Sequence, residues 1–406
     1  MTNPSCFFYA AVGARLTAYH VDPANATLSR ESYVDLPEPV QYVWRHPLRP
    51  WLYAVSSNGL PGNVSASTAA RSGSEHYASV LAIDQATGAL TSLHDPVPLP
   101  SRPIHCSIDG EGRYLLVAYN RPSGLTVHPI DEDGRIELAV AQSDGLDYGI
   151  YGHQVMASPR GDRVILVARG NDATDVAAED PGALIEYRLE AGTLTQPRSI
   201  TPGDGNGYGF GPRHLDIHPN GQWAYISVER QNELQLFDLT AEGALAADAR
   251  QSVSSLSMDG LEPVRQMACA VHVHPNGEAV YQVNRSDGRR RTEGWSLGGH
   301  GEDSLVVYAI GEDGQVRVQS HVRLPAVHVR TFSLDPTGQL LIASSIEPVP
   351  VAGDDGGVRM IPARIMLYRV ARDGGLTFAR SYDVDTRGEM MFWTGFVPVN
   401  DLGERL

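Results

Sequence analysis

Positive charge is scarce in this chain. Lysine and arginine together number 32 against 48 aspartates and glutamates, a formal charge of −16 over 406 residues. That excludes nucleic acid as a partner, because phosphate-backbone binding needs a broad basic footprint. It does not exclude a small anion, since a few arginines inside one cleft reverse the local sign. Cysteine is almost absent, and Cys6, Cys106 and Cys269 have no metal-ligand spacing and cannot all pair. No apolar run approaches the ~20 residues of a membrane span. The N-terminal MTNPSCFFYAAVGARL lacks the basic region and long apolar stretch of a secretion signal. These absences predict a cytoplasmic protein with no membrane partner. The serine- and threonine-rich 63–74 forms no nucleophile elbow, so covalent serine catalysis is not expected.

What is present is a repeat. One element joins an apolar strand to an acidic or glycine turn, as in LAIDQATGAL (81–90), VHPIDEDGRI (127–136), VYAIGEDGQV (307–316) and LYRVARDGGL (367–376). It occurs seven times, at intervals of about 45 to 70 residues. A second element alternates with it: strand, Pro/Gly turn, strand, as in IHPNGQWAYISVE (217–229) and VHPNGEAVYQVNR (273–285). Six copies are continuous, and a seventh is split between EMMFWTGFVPV (389–399) and CFFYAAVGARL (6–16). The pattern predicts an all-β chain, residues 1–406 forming one seven-bladed β-propeller of four-stranded antiparallel blades. The N- and C-terminal strands share one blade and close the ring.

The turn of the second element serves as a ruler. Six positions before it stand Gln41, Ile104, His153, Arg213, Cys269 and Arg330; five before it stand Tyr42, His105, Gln154, His214, Ala270 and Thr331. Ten positions after it stand Ser57, Asn120, Arg169, Glu229, Arg285 and Ile346. In a hairpin the start of one strand meets the end of the other, so His153, Arg213, Glu229, Arg285 and Arg330 are expected together at one channel mouth. The long irregular segments, among them 58–79, 171–183, 201–211, 250–268, 286–303 and 347–363, are expected to crowd the same face. Glycine-rich 203–211 reads either as a mobile lid or as a loop with weak structural demands. His105, Gln154, His214, His272 and Arg330 are the candidate substrate-binding residues. His218 and His274 precede turn prolines and read as structural. His153, His214, His272 and Glu229 could converge on a metal, yet neither metal nor cofactor is expected.

At G-P-R-H-x-x-x-H-P (211–219), and at the glutamate of AYISVERQNEL (224–234), the chain resembles the seven-bladed lactonase family. That family contains propeller-type 6-phosphogluconolactonases and 3-carboxy-cis,cis-muconate lactonizing enzymes. GHQVMASPRGDRV (152–164), AVHVHPNGEAVYQVNRS (270–286) and VRTFSLDPTGQLL (329–341) extend the resemblance. It implies catalytic roles for His153, Arg213, Glu229 and Arg285. The chemistry fits: a lactone hydrolase needs a base to activate water and cations to hold the oxyanion. His153 or Glu229 is the base, and Arg213 with Arg285 clamps the oxyanion or a carboxylate. The implied partner is a small anionic lactone such as 6-phosphogluconolactone. The alternatives are a muconate-like substrate, cyclised by the same residues, and a non-catalytic binding scaffold. Oligomeric state is not readable. Arg213→Ala and Glu229→Ala are expected to abolish activity without loss of folding.

Overall fold

The computed structural model describes residues 6–60, 72–257, 264–286, 290–292, 294–299, 301–353 and 356–398. Its named elements are all β-strands; seven small antiparallel sheets are set as blades in a ring, and two further two-stranded hairpins, Arg290–Thr292 with Trp295–Leu297 and Val349–Ala352 with Val358–Ile361, stand in the insertions. From the channel outward, blade 1 holds Val40–Arg45, Trp51–Ser57, His76–Ile83 and Leu90–Ser92. Blade 2 holds Pro103–Ile108, Tyr114–Asn120 and Ser123–Pro129. The inner strands of blades 3 to 6 are Gly152–Ala157, Pro212–Ile217, Gln266–Val273 and Val329–Leu334. In blade 7 the inner strand is the C-terminal Met391–Pro398, followed outward by Cys6–Val12, Arg15–Asp22 and Thr27–Asp35. The expected closure is present. Phe8 pairs with Phe396 across it, their ring centres 5.4 Å apart.

Blade 2 departs from the four-stranded expectation. Its outer position is taken by an isolated Ile130–Ile136 bridge and by Glu137 N and Val140 N, which donate to Pro129 O and Val127 O at 2.9 and 2.8 Å. Leu138, between them, is exposed, so this edge has no apolar face to extend into a regular strand. Elsewhere burial falls from the inside outward. The second strand Tyr114–Asn120 is buried on both faces, whereas the outermost Leu376–Val384 is mostly exposed.

Both repeated sequence elements are latches between neighbouring blades. At one end of the ring, His46, His218 and His274 place Nε2 at 3.1, 2.9 and 2.9 Å from the carbonyls of Gly112, Gly277 and Gly338, in the next blade's turn. The Nδ1 atoms of His46 and His218 accept the backbone N–H of Leu48 and Asn220, so Nε2 carries the proton and donates. The glycines are required at these contacts: a Cβ on Gly277, at φ +77°, would lie 2.7 Å from His218 Nε2. At the outer turns Tyr9, Tyr53, Tyr225 and Tyr281 donate their hydroxyls to Gly88, Gly134, Gly314 and Gly374 at 2.8–2.9 Å. Each bond contributes about 1 kcal/mol.

Every inner strand is also irregular near its start. Pairing with the second strand skips Gln41, Ile104, His153, Arg213, Arg330 and Phe392, and in blade 5 it skips over Cys269–Ala270. A bulge adds a residue the ladder cannot pair and re-aims its side chain. The ring therefore turns one residue per blade toward the channel at the same height. Among the described residues no helix is long and apolar enough to cross a membrane. Part of the insertions after residues 57, 285 and 346, including most of 63–74 and Arg289, lies outside the described residues.

Candidate active site

The bulged residues form the floor of a bowl. The cavity above them has a volume of about 620 Å³, and Ile104, His153, Arg330 and Phe392 face it directly. Below them a chamber of about 30 Å³ continues down the channel, lined by the same four residues together with Arg213 and His214. The chain has no lysine, so every cation here is an arginine with a planar donor fork. Among the described residues Arg102, Arg121, Arg169, Arg265, Arg285 and Arg330 line the bowl, against the carboxylates Asp172, Asp180 and Glu229. Six positive groups facing three negative ones make this cavity electropositive in a strongly acidic protein.

Glu229 is the hub of one side. It ends the second strand of blade 4, and its N–H is anchored to Gly211 O at 2.7 Å. Its Oε1 accepts Arg169 Nε at 2.8 Å; its Oε2 lies 2.7 Å from Arg213 Nε and 3.7 Å from Arg285 Nη2. Burial opposes ionisation of this 4% exposed residue, yet Arg169, Arg213 and Arg285 outweigh it and hold the carboxyl well below the usual range. Arg213 is only 1% exposed and lies beneath the bowl floor rather than on it. Arg285 is clamped further, its Nε 2.5 Å from Cys269 Sγ and its Nη1 against His328 Nε2.

His153 stands beside this cluster. It is 6% exposed and its Nδ1 has no hydrogen-bond partner. Burial first, and Arg213 next, hold its imidazole well below the ordinary range, so the ring is neutral. The ring is 5.2 Å from His214, which is neutral for the same reasons. Tyr151, just before His153, has φ 61°, and His328, just before the blade 6 inner strand, has φ 60°. Both are non-glycine residues in the left-handed region, a conformation concentrated at functional sites.

Of the residues singled out in the sequence, His153, Glu229, Arg285 and Arg330 meet in the bowl, and Arg213 and His214 sit directly below. The others lie elsewhere. His105 is fully buried, its ring 3.9 Å from Tyr42. Gln154 spends its amide on Leu215, donating to its carbonyl at 3.1 Å and accepting its N–H at 2.6 Å, which straps two inner strands together. His272 does reach the lower chamber that Arg213 and His214 line, 3.7 Å from Asp216 and edge-on to Phe332. Among the described residues no group of three or more His, Cys, Asp or Glu is placed to hold a metal. Segment 201–211 does not line the bowl. It backs the wall loop 171–183: Gly182 N donates to Gly207 O, Gly209 N to Glu179, and Arg230 bonds carbonyls of both loops.

Arg102, Arg121, Arg169, Tyr151 and Phe392 line the bowl as well, beyond the residues expected from the sequence. Phe392 is the bulge residue of the split blade, which has no turn proline to count from. Arg102 and Arg121 flank blade 2, one residue before its inner strand and one after its second strand. The ruler stopped one or two positions short of both.

Residues 8–347 match the family model for the lactonase, 7-bladed beta-propeller. The chain belongs to this family. Within the lactonases it is 27% identical, over 65% of its length and 69% of the relative's, to a 6-phosphogluconolactonase of Bacillus subtilis. A 6-phosphogluconolactonase of Pectobacterium atrosepticum is 28% identical, over 61% of this chain and 64% of that one. Among solved structures the fold matches a periplasmic gluconolactonase of Pseudomonas aeruginosa with a TM-score of 0.70 at 20% identity, covering 97% of this chain and 100% of that one. A putative 6-phosphogluconolactonase of Bacteroides uniformis gives 0.67 at 19% identity, covering 98% and 100%. The family members are lactonases built on this ring, and the bowl lies where the ring converges its bulges.

Proposed function

We propose that the bowl hydrolyses a small anionic lactone, of the sugar-acid class to which 6-phosphogluconolactone belongs. The observation that carries this is a neutral histidine on the floor of an arginine-lined cavity. His153 is the base. It takes the proton of the water that attacks the lactone carbonyl, then returns a proton to the ring oxygen as the C–O bond breaks. An ionised Glu229 held by three arginines is a poor proton acceptor. Its role is to position Arg169, Arg213 and Arg285. Arg285 and Arg330, which face the bowl, stabilise the oxyanion, and a guanidinium in a dry site is worth far more there than in water. An anionic substrate also offsets the field of the arginines, which raises the basicity of His153 when substrate is bound. The names of the relatives support the reaction class. Three free thiols suit a reducing compartment, so we place the reaction in the cytoplasm.

The test is turnover of 6-phosphogluconolactone and glucono-δ-lactone by purified protein, followed by proton release. Hydrolysis that is lost in His153→Ala supports the reading. Undiminished turnover in that variant overturns it.

A further inference from the structure

The arginines of the bowl divide by what they touch. Arg169 meets Glu229 and Asp172, Arg265 meets Asp172, and Arg285 meets Glu229. Arg330 on the floor, and Arg102 and Arg121 on the wall supplied by blade 2, meet no carboxylate among the described residues. Arg102 is 3% exposed. Its Nε donates to Gly59 O at 3.1 Å and its Nη2 to Gln41 Oε1 at 2.5 Å. Both acceptors are neutral, so they fix the guanidinium without cancelling its charge, and Nη1 is left for the cavity. Arg121 is half-buried, its guanidinium carbon 5.4 Å from the centre of the Tyr151 ring. Arg169 reaches the same ring at 5.6 Å. Tyr151 thus stands between the ion-paired arginines and the uncompensated ones, held by its carbonyl, which accepts Arg169 N at 2.9 Å.

Two arginines side by side without a counterion are unfavourable in the unliganded protein. Burial, and then the like charge of Arg121, push Arg102 down to about 10, with Tyr151 partly opposing. A buried charge without an opposite partner is costly, and a bound anion would supply one. A dianionic phosphate satisfies such a pair, because each guanidinium fork can bind two of its oxygens. A carboxylate carries half the charge and two oxygens only. The cavity volume lies in the range of roughly 300–1,000 Å³ typical of small-ligand clefts. It has room for a subsite at the blade 2 wall and a reacting carbonyl over His153.

We propose that Arg102 and Arg121, with Tyr151 as their platform, form a subsite for a phosphate monoester on the substrate, apart from the floor where the lactone opens. They set the enzyme's preference for phosphorylated over unphosphorylated lactones. This rests on the lactonase reading of the same bowl, so its test has two arms. In the first, kcat/KM is measured for 6-phosphogluconolactone and glucono-δ-lactone with wild type, Arg102→Gln and Arg121→Gln. The preference for the phosphorylated lactone should fall about tenfold or more in each variant, a loss of one charge-assisted contact. An unchanged preference overturns the subsite. In the second arm, binding of inorganic phosphate is followed by calorimetry. Phosphate bound by wild type and about tenfold more weakly by each variant supports the subsite even if neither lactone is hydrolysed, which would overturn only the lactonase reading. Phosphate bound equally by all three proteins, or not bound by wild type, overturns it. Arg121→Gln alters a half-buried side chain, so the test survives if Arg102→Gln fails to fold.

Discussion

His218 and His153 lie in adjoining blades, one at the turn after an inner strand and the other at an inner-strand bulge. At the turn, His218 has both ring nitrogens bonded, to Asn220 N and Gly277 O. At the bulge, His153 leaves Nδ1 without a partner and faces the bowl. The same contrast runs through the arginines of the bowl, where Arg169 is spent on Glu229 while Arg102 holds its charge uncancelled. Residue type alone therefore does not separate architecture from chemistry here. What separates them is whether the fold satisfies each polar atom. At the latch turns it does; at the blade 3 bulge it leaves His153 facing the cavity.

Four changes probe that contrast, and Glu229→Gln should be the most damaging. It leaves Arg169, Arg213 and Arg285 mutually repelling, so turnover should disappear and stability fall by about 3–5 kcal/mol in denaturant titration. The expectation that this residue could be removed without harm to folding does not suit a hub of three guanidiniums. Stability close to wild type would show that the cluster is not a structural unit.

His153→Gln should keep the fold while kcat falls by roughly 10²–10⁴. The pH profile sharpens the point. A base must be deprotonated, and a depressed imidazole stays deprotonated to lower pH. The acid limb of kcat/KM should therefore fall well below ~6.5, the ordinary histidine value. A limb at or above that value would contradict the assignment.

Gly277→Ala tests the satisfied end. The new Cβ would strike the His218 ring and force a side chain onto φ +77°. Melting experiments should register a loss of about 2–4 kcal/mol with kcat intact, the sum of a strained backbone and a lost latch. A drop in kcat larger than the fraction unfolded would mean that the two ends communicate.

Asp303→Asn should change the pH dependence of stability rather than activity. Asp303 is buried away from the bowl, accepts Val329 N at 3.1 Å, and is pushed up by burial to about 7. A carboxyl raised in the folded state contributes stability that is full below its unfolded value and lost as pH rises through its folded one. Wild type should therefore lose stability between about pH 4 and 7, at a slope of up to roughly 1.4 kcal/mol per pH unit that the Asp303→Asn variant would lack. Parallel stability curves for the two proteins would rule this out.

Much of the bowl was legible because the propeller repeats. Counting from a turn proline placed His153, Arg213 and Arg330 at one height, since equal strand lengths carry equal positions to equal depths. The count failed where the repeat has no ruler, as at Phe392, and where residues flank the strands, as at Arg102 and Arg121. It also could not show that Gln154 turns away to Leu215 while His153, its neighbour, turns inward. A bulge decides that, and a bulge is a property of two paired strands rather than of one.

The sequence by itself determined the ring: seven apolar hairpin repeats, glycines where histidine and tyrosine latches need a bare carbonyl, and a blade divided between the termini. It also placed several residues near one mouth, His153, Glu229, Arg285 and Arg330 among them, because turn spacing is local. Only the tertiary structure decided what those residues are. Glu229 became an ionised hub, Arg213 its buried partner, His153 a neutral base and Arg102 an unspent cation. Charge states depend on distance, burial and neighbours drawn from blades far apart in the chain, and no local pattern encodes them.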